Sequence, residues 1–179
     1  MDKIWKENYY KFLFEDHVEI ELRLGKQTSN GFKSDVGEKA FNEIKQNLDK
    51  CKWIKVSETV VTDTFYNNNL RKSGELCISK VNTFKSHKKT AKSLDIRLSI
   101  NIETPVSRVN GNVIAFRKKK RTSYYKDFYR FDLTYIENHD EFEIEMELID
   151  IHYAKKHSYD FIMGNMYRIF NDLISRANF

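Results

Sequence analysis

The sequence contains little cysteine, proline or glycine, and it has no long apolar run. Only two of its 179 residues are cysteines, Cys51 and Cys77, which excludes a disulfide framework and favours a reducing compartment. No segment approaches the roughly 18 apolar residues that a membrane span needs. Residues 1–7 lack the apolar core of a signal peptide, and the single proline argues against a linker between domains. We therefore expect an intracellular, soluble protein without membrane contact that forms one domain over residues 1–179.

Neither sign of charge dominates the composition. The chain has 31 Lys and Arg against 26 Asp and Glu, so a net charge of +5 favours an anionic partner only mildly. Its five histidines fall mostly at predicted turns and lack the spacing of zinc ligands. Hydrophobic residues make up 40% of the chain, which is enough to bury a core. The distribution of charge along the chain is therefore more informative than its total.

Two strand-like segments carry rows of carboxylates. Residues 19–24 read Glu-Ile-Glu-Leu-Arg-Leu, and residues 141–148 read Glu-Phe-Glu-Ile-Glu-Met-Glu-Leu. Because successive side chains of a strand point to opposite faces, each segment has one apolar face and one acidic face. Such a row repels itself unless a metal ion or several cations lie in front of it. The two rows therefore suggest a metal site.

Residues 95–103 and 129–136 alternate in the same way. Residues 117–123 are polar on both faces and place Arg117, Lys119 and Arg121 together on one of them. An open sheet would place these polar faces in water. A closed barrel would instead turn them into a tunnel with acidic and basic walls. Stacked Glu on two strands and stacked Arg and Lys on another favour the barrel.

Hydrophobic periodicity and turn signals predict the elements that would build this barrel. We predict strands at 17–25, 58–66, 70–72, 75–83, 94–104, 112–123, 127–136 and 140–150, with helices at 2–15, 35–51 and 158–176. Ser34 or Asp35 should cap the second helix, Ser158 should cap the third, and the Lys-rich stretch 85–92 should be a loop. The expected fold class is mainly β (α+β). It is a closed eight-stranded antiparallel β-barrel tunnel with a hydrophilic lumen, flanked by about three helices.

The order of the charged strands resembles the triphosphate tunnel metalloenzymes. The resemblance rests on Glu-Ile-Glu-Leu-Arg-Leu-Gly at 19–25, Arg-Lys-Lys-Lys-Arg at 117–121, Arg-Phe-Asp-Leu-Thr at 130–134 and Glu-Ile-Glu-Met-Glu-Leu at 143–148. Within that superfamily the chain is similar to the metal-dependent RNA 5′-triphosphatases of fungi, protists and large DNA viruses. The resemblance implies removal of the γ-phosphate of triphosphate-ended RNA, the first step of mRNA capping, with Mg²⁺ or Mn²⁺. It also implies hydrolysis of nucleoside triphosphates with Mn²⁺.

The resemblance assigns roles to residues on the tunnel face. It places metal ligands at Glu19, Glu21 and Glu147, and oxygen ligands of this kind suit a hard divalent cation. It places phosphate contacts at Lys119 and Arg121. Water-positioning acids are expected at Glu103 and Glu145, with Asp132 and Asp63 as further candidates. The expected substrate-binding cations are Arg23, Arg71, Lys80, Arg97, Arg117 and Arg130.

The late acidic row leaves a question of register. It has four alternating glutamates where the family pattern has three, and we align the three with Glu143, Glu145 and Glu147. Glu141 would then lie at the rim of the tunnel. This register decides which carboxylate reaches the metal.

Other functions remain open. The runner-up is a tunnel enzyme that acts on inorganic tripolyphosphate, polyphosphate, or a nucleoside or thiamine triphosphate. A third is a catalytically silent RNA- or anion-binding module, but intact carboxylates in both rows argue against it. The expected partner is a 5′-triphosphate RNA end, and a guanylyltransferase domain or subunit is left open. We expect a monomer, with a dimer left open, in the nucleus or cytoplasm, or in a viral factory if the protein is viral.

Overall fold

The computed structural model describes residues 2–51, 53–90 and 93–177, which form nine strands, four helices and a short 3₁₀ turn. The strands are β1 (Val18–Thr28), β2 (Gly31–Lys33), β3 (Ile54–Tyr66), β4 (Leu70–Ser73), β5 (Leu76–Lys89), β6 (Asp95–Pro105), β7 (Val113–Lys126), β8 (Tyr129–Ile136) and β9 (Glu141–Leu148). The helices are α1 (Lys3–Phe12), α2 (Glu38–Lys50), α3 (Ile151–Ala154) and α4 (Tyr159–Ser175).

Eight of the strands form a closed antiparallel ring. Around the ring the order is β1, β6, β5, β4, β3, β7, β8 and β9, and β9 returns to pair with β1. The predicted eight-stranded barrel is therefore confirmed. The ninth strand, β2, was not predicted and lies outside the ring, where it pairs only with the end of β1.

The alternation of apolar and polar residues sets the two faces of the barrel wall. Ile20, Ile96 and Phe131 point outward and are fully buried beneath the helices. The ring of Phe131 lies 5.3 Å from that of Phe170 in α4. On the inner face Asp132 is only 2% exposed although it is charged. The polar faces therefore line a tunnel, and the open sheet is excluded.

Side chains cap the N-termini of α1 and α4, whereas α2 begins after a glycine. The Asp2 side chain accepts a hydrogen bond from Ile4 N at the start of α1, and Ser158 accepts from Phe161 N at the start of α4, as predicted. The predicted cap of α2 is wrong, because Gly37 occupies that position. Asp35 instead accepts hydrogen bonds from the Gly37 and Phe142 backbone amides, which fastens this loop to β9.

The predicted loop at 85–92 is also wrong, since β5 continues through Lys89 and pairs with β6. The lysines alternate: Lys85 and Lys89 are exposed, whereas Lys88 lies 4.3 Å from the centre of the Trp5 ring. A lysine stem can cover apolar surface in this way, so a Lys-rich strand is stable once it has a neighbour. Ala91 and Lys92, the end of the predicted loop, lie outside the described residues.

Two further boundaries differ from the prediction. The strand β3 begins at Ile54 rather than at residue 58, and the short helix α3 was not predicted. No helix in the described ranges has both the length and the apolar character needed to cross a membrane.

Candidate active site

The barrel encloses a cavity of about 710 Å³. This volume suits a small-molecule ligand or the end of a larger one. The side chains around it are mostly charged, and acidic and basic residues come from different strands. The charged lining residues are Glu19, Glu21, Arg23, Asp63, Arg71, Lys80, Glu103, Arg117, Lys119, Arg121, Arg130, Glu143, Glu145 and Glu147.

One wall of the cavity, formed by β1 and β9, is acidic. Glu21 lies opposite Glu147 where the two strands pair, and Glu19 follows on the same face of β1. Lys80 Nζ lies 2.6 Å from a carboxylate oxygen of Glu19, and Arg130 forms an ion pair with Glu147. Each end of this acidic row is therefore bound by a cation from a neighbouring part of the barrel.

The raised pKa of Glu147 indicates that the cations near the acidic wall do not fully balance its negative charge. Burial raises this pKa to about 7, and repulsion from Glu19, Asp132 and Glu21 adds to the effect although Arg130 opposes it. An additional cation near Glu147 would therefore stabilise its ionised form.

Glu19, Glu21 and Glu147 fit a hard divalent cation in their chemistry. All their donor atoms are carboxylate oxygens, which Mg²⁺ and Mn²⁺ prefer. As the side chains stand in the described parts of the chain, no three His, Cys, Asp or Glu groups lie close enough to share one ion. Lys80 and Arg130 occupy two of the carboxylates instead. Joint binding of a metal therefore requires these side chains to turn.

The opposite wall, formed by β3 and β7, is basic and contains a deeply buried pair. Lys119 forms an ion pair with Asp63, which is 1% exposed. Burial raises the pKa of Asp63, but the charge and hydrogen bond of Lys119, a hydrogen bond from Ser73 and the charge of Arg71 together lower it overall. The pKa of Lys119 is lowered by burial and by the nearby Arg121. The ammonium group is therefore positioned by Asp63 at a site that favours an anion.

One carboxylate, that of Asp132, positions both Arg121 and Arg130. Asp132 Oδ2 lies 3.1 Å from Arg121 Nη1 and accepts a hydrogen bond of 3.0 Å from Arg130 Nε. Its other oxygen accepts a 2.6 Å hydrogen bond from Ser123. These bonds fix the planes of two guanidinium groups that face the cavity.

A third group of charges lies where β9 approaches Arg117 and the loop before α2. Arg23 forms an ion pair with Glu145, and Glu143 lies 3.2 Å from Arg117 Nη1. Ser34 donates a 2.6 Å hydrogen bond to Glu143. Burial raises the pKa of Glu143, but Arg23, the Ser34 bond and Arg117 together lower it. Glu143 is therefore held as a carboxylate.

Most of the predicted site residues meet at this cavity. The two exceptions among the described residues are Asp132, which lies beneath the arginines, and Arg97, whose guanidinium lies 4.5 Å from the centre of the Phe32 ring. The register that aligns Glu143, Glu145 and Glu147 placed Glu143 on the tunnel face without giving it a role, and Glu143 lines the cavity. Sequence reasoning missed Phe32, for which no local pattern gave a signal.

The sequence matches one known protein family. The family model described as mRNA capping enzyme, beta chain, matches residues 22–175. A search of curated proteins found no match to this sequence.

Solved structures share the fold. The structure of S. pombe Pct1 RNA triphosphatase aligns with a TM-score of 0.76 at 20% identity, covering 99% of this chain and 93% of that one. Pct1 in complex with the Spt5 CTD aligns with a TM-score of 0.77 at 20% identity, covering 99% and 94%. The RNA triphosphatase domain of a trifunctional mimivirus mRNA capping enzyme aligns with a TM-score of 0.56 at 13% identity, covering 98% and 99%. At these identities the structural matches show the fold alone.

Proposed function

The chain belongs to the family of the mRNA capping enzyme beta chain, and we propose how its tunnel residues carry out the RNA 5′-triphosphatase reaction of that family. The protein is a hydrolase that removes the terminal phosphate from the 5′ end of RNA. Different side chains are assigned to binding the triphosphate, holding the metal and orienting water.

One observation carries the proposal, namely the facing acidic and basic walls of a single buried cavity. A 5′-triphosphate carries about four negative charges, and cleavage of its terminal phosphoryl group needs charge neutralisation and an aligned water. The basic wall supplies the first requirement. The acidic wall supplies carboxylates for a metal and for water.

Family membership indicates the use of a divalent metal, and we propose Mg²⁺ or Mn²⁺ held by Glu19, Glu21 and Glu147. When bound, such an ion neutralises phosphate charge and polarises the phosphoryl group. The proposal is supported by the all-oxygen donor set and by the raised pKa of Glu147.

Lys119 and Arg121 are the proposed main phosphate contacts. Both line the cavity, and both are oriented by carboxylates, Asp63 and Asp132 respectively. Charged donors fixed in advance stabilise developing negative charge without having to reorganise. The other lining cations are assigned to the remaining phosphate oxygens. They are Arg23, Arg71, Lys80, Arg117 and Arg130.

Glu103 and Glu145 are the proposed water-positioning acids. Glu145 forms an ion pair with Arg23 and lies 3.6 Å from Arg121, so a water bound to it would lie near a phosphate held by these arginines. Glu103 lines the cavity and lies 2.7 Å from Lys80, its register partner on the neighbouring strand β5. Asp132 is nearly inaccessible, so we assign it to the positioning of Arg121 and Arg130 rather than to contact with water.

The contacts proposed in the cavity all go to the triphosphate, so we propose that inorganic tripolyphosphate and nucleoside triphosphates are also hydrolysed. Phosphate release from triphosphate-ended RNA, tripolyphosphate and ATP, each with Mg²⁺ and with Mn²⁺, tests the whole proposal. We expect a diphosphate RNA end and release that stops in excess EDTA. Full activity in EDTA would contradict the metal, and cleavage of tripolyphosphate but not RNA would favour the tripolyphosphatase alternative.

We further propose that residues 1–179 act as one domain beside a guanylyltransferase, either on the same polypeptide or as a separate subunit. The product of this reaction, a diphosphate RNA end, is what a guanylyl transfer must use. The mimivirus structure comes from a trifunctional capping enzyme, and Pct1 binds the Spt5 CTD. Co-purification of this chain with a guanylyltransferase from its own source tests the association.

A further inference from the structure

The barrel wall is open along one side. The short strand β4 pairs with β3 only at Asp63, Thr64 and Phe65, and it pairs with β5 only over residues 76–79. Residues 54–62 of β3 and 80–89 of β5 therefore have no partner on their facing edges among the described strands. A gap bordered by these two edges connects the tunnel to the surface.

Exposure of inner-face residues marks this gap. Elsewhere on the inner face Ser99 and Thr134 are completely buried. Thr59 on β3 and Lys85 on β5 occupy the inner face too, yet both are exposed. A chain too long for the tunnel could leave it here.

A row of basic residues leads from the cavity to the gap. Arg23, which lines the cavity, pairs in register with Arg97 on β6, and Arg97 pairs with His87 on β5. Lys85 lies two residues from His87 on the same face. Because neighbouring strands are about 4.8 Å apart, this row extends about 10 Å from the cavity wall.

The outer part of this row lacks carboxylate partners. In the parts of the chain that the structure describes, neither Lys85 nor Arg97 forms an ion pair, whereas Arg23 is bound by Glu145. Arg97 donates a hydrogen bond to Ser99 Oγ at 3.2 Å instead. The pKa values of Lys85 and Arg97 are both lowered, first by partial burial and then by repulsion from neighbouring cations, chiefly Arg97 and Arg23 for Lys85 and Arg23 for Arg97, although Glu21 opposes the shift in both. An anion bound here would relieve that repulsion.

An aromatic ring borders the same row. Phe32, on the hairpin strand β2, lies over Gly25, where a Cβ would come within 2.5 Å of the ring and 2.2 Å of the Lys33 carbonyl oxygen. The missing side chain of Gly25 is therefore what lets the ring lie against the inner face of β1. Arg97 stacks on this ring at 4.5 Å. Aromatic rings paired with guanidinium groups are a common platform for unpaired nucleobases.

We propose that Phe32, Lys85, His87 and Arg97 form a ledge that binds the RNA strand immediately after its triphosphate. Lys85 and Arg97 contact the first phosphodiester groups, and Phe32 stacks with a nucleobase. This inference rests on the proposed function and adds a reason why RNA would be preferred over inorganic tripolyphosphate. The ledge contacts the nucleotides of the RNA and not its triphosphate, because Lys85, Arg97 and Phe32 lie outside the triphosphate cavity.

The test compares two substrates that share the triphosphate. We would measure kcat/KM for a triphosphate-ended RNA of about ten nucleotides and for tripolyphosphate, in wild type, Lys85→Ala and Phe32→Ala. Loss of one stacked base or one phosphate contact should lower the RNA-to-tripolyphosphate ratio about tenfold. The matched control is Lys118→Ala, which removes an exposed lysine from the outer face of β7 and should leave the ratio unchanged.

The outcomes separate the ledge from the active site. An unchanged ratio in Lys85→Ala, or an equal fall in Lys118→Ala, would overturn the ledge while leaving the triphosphatase intact. Because Lys85 is exposed, its variant should fold even if Phe32→Ala does not. Absence of RNA cleavage by the wild-type protein would instead overturn the proposed function.

Discussion

Glu21 and Glu147 lie directly opposite each other where the first and last strands of the barrel pair. Like charges across from one another in a sheet are destabilising. In this protein Glu19 lies on the same face of β1 as Glu21 and adds to the repulsion on Glu147, so carboxylates are concentrated at the seam of the barrel. A metal held by the proposed ligands would therefore also affect the stability of the fold.

The first prediction concerns Glu147 and pH. Its pKa is raised from 4.5 to about 7, so the folded metal-free protein binds this proton more tightly than the unfolded chain. The stability that the proton contributes is complete below pH 4.5, declines above it and is lost above about pH 7. The loss amounts to at most about 3 kcal/mol. We expect Glu147→Gln, which resembles the protonated acid, to weaken this decline.

The measurement is thermal unfolding of wild type and Glu147→Gln in EDTA at pH 5 and pH 8. The melting temperature of the wild type should fall more between pH 5 and pH 8 than that of the variant. Equal losses would mean that Glu147 does not titrate in this range.

A second prediction concerns metal ligation. Glu19→Ala and Glu147→Ala should each weaken binding of Mn²⁺ at least about tenfold, because each removes a charged oxygen ligand. Glu141→Ala, on the same strand but outside the cavity lining, is the control and should bind Mn²⁺ as wild type does. Calorimetric titration measures this directly. Unchanged titrations for both Glu19→Ala and Glu147→Ala would show that the ligands are other residues.

A third prediction separates phosphate contacts from metal ligands. Lys119→Ala and Arg121→Ala should bind Mn²⁺ normally but lose on the order of 10²-fold in kcat, since each removes a fixed donor from the phosphate. Phosphate release at saturating metal provides the rate. If either variant lost metal affinity along with rate, the division between the two walls would be wrong.

The fourth prediction concerns the buried pair of Lys119 and Asp63. Lys119→Met leaves the Asp63 carboxylate unpaired at 1% exposure, which should cost about 3–5 kcal/mol in the free energy of unfolding. The double variant with Asp63→Asn should recover much of this loss, because no buried charge remains. Urea denaturation of both single variants and the double variant gives the coupling energy. Additive losses would show that the two side chains act independently.

The fifth prediction tests the closed part of the tunnel. In a background with Cys51 and Cys77 replaced by serine, cysteine at position 99 or 101 should react slowly with a bulky maleimide, since Ser99 and Asn101 are at most 1% exposed. Cysteine at position 110, in an exposed turn, should react at once. Bound tripolyphosphate and metal should slow the maleimide reaction at positions 99 and 101 further. Equal rates at all three positions would be incompatible with a tunnel.

The sequence predicted the faces of the strands well and their neighbours less well. Period-2 alternation determines which side chain points inward, so the lining from Glu19 to Glu147 could be read from local pattern. Ion-pair partners could not, because Lys80 with Glu19 and Lys119 with Asp63 join strands that are distant in sequence.

The lysine-rich end of β5 and the position of Arg97 were missed for related reasons. Lys-rich composition is typical of loops, but a neighbouring strand supplies hydrogen bonds that local sequence does not reveal. Arg97 points inward as its alternation predicts. It lies outside the cavity, where its guanidinium stacks on Phe32, and the strand β2 that carries Phe32 has no signal in the pattern around Arg97.

The pairing of β1 with β9 also has a kinetic consequence. Only three residue pairs join these strands, and their partners lie near opposite ends of the chain. Contacts of such long sequence separation form late and make folding slow, because the intervening chain must be ordered first. If Glu21 and Glu147 hold a divalent ion, as proposed, these two ligands would come together only at this last pairing. Metal would therefore stabilise the barrel at its final folding step and slow its opening rather than speed its formation.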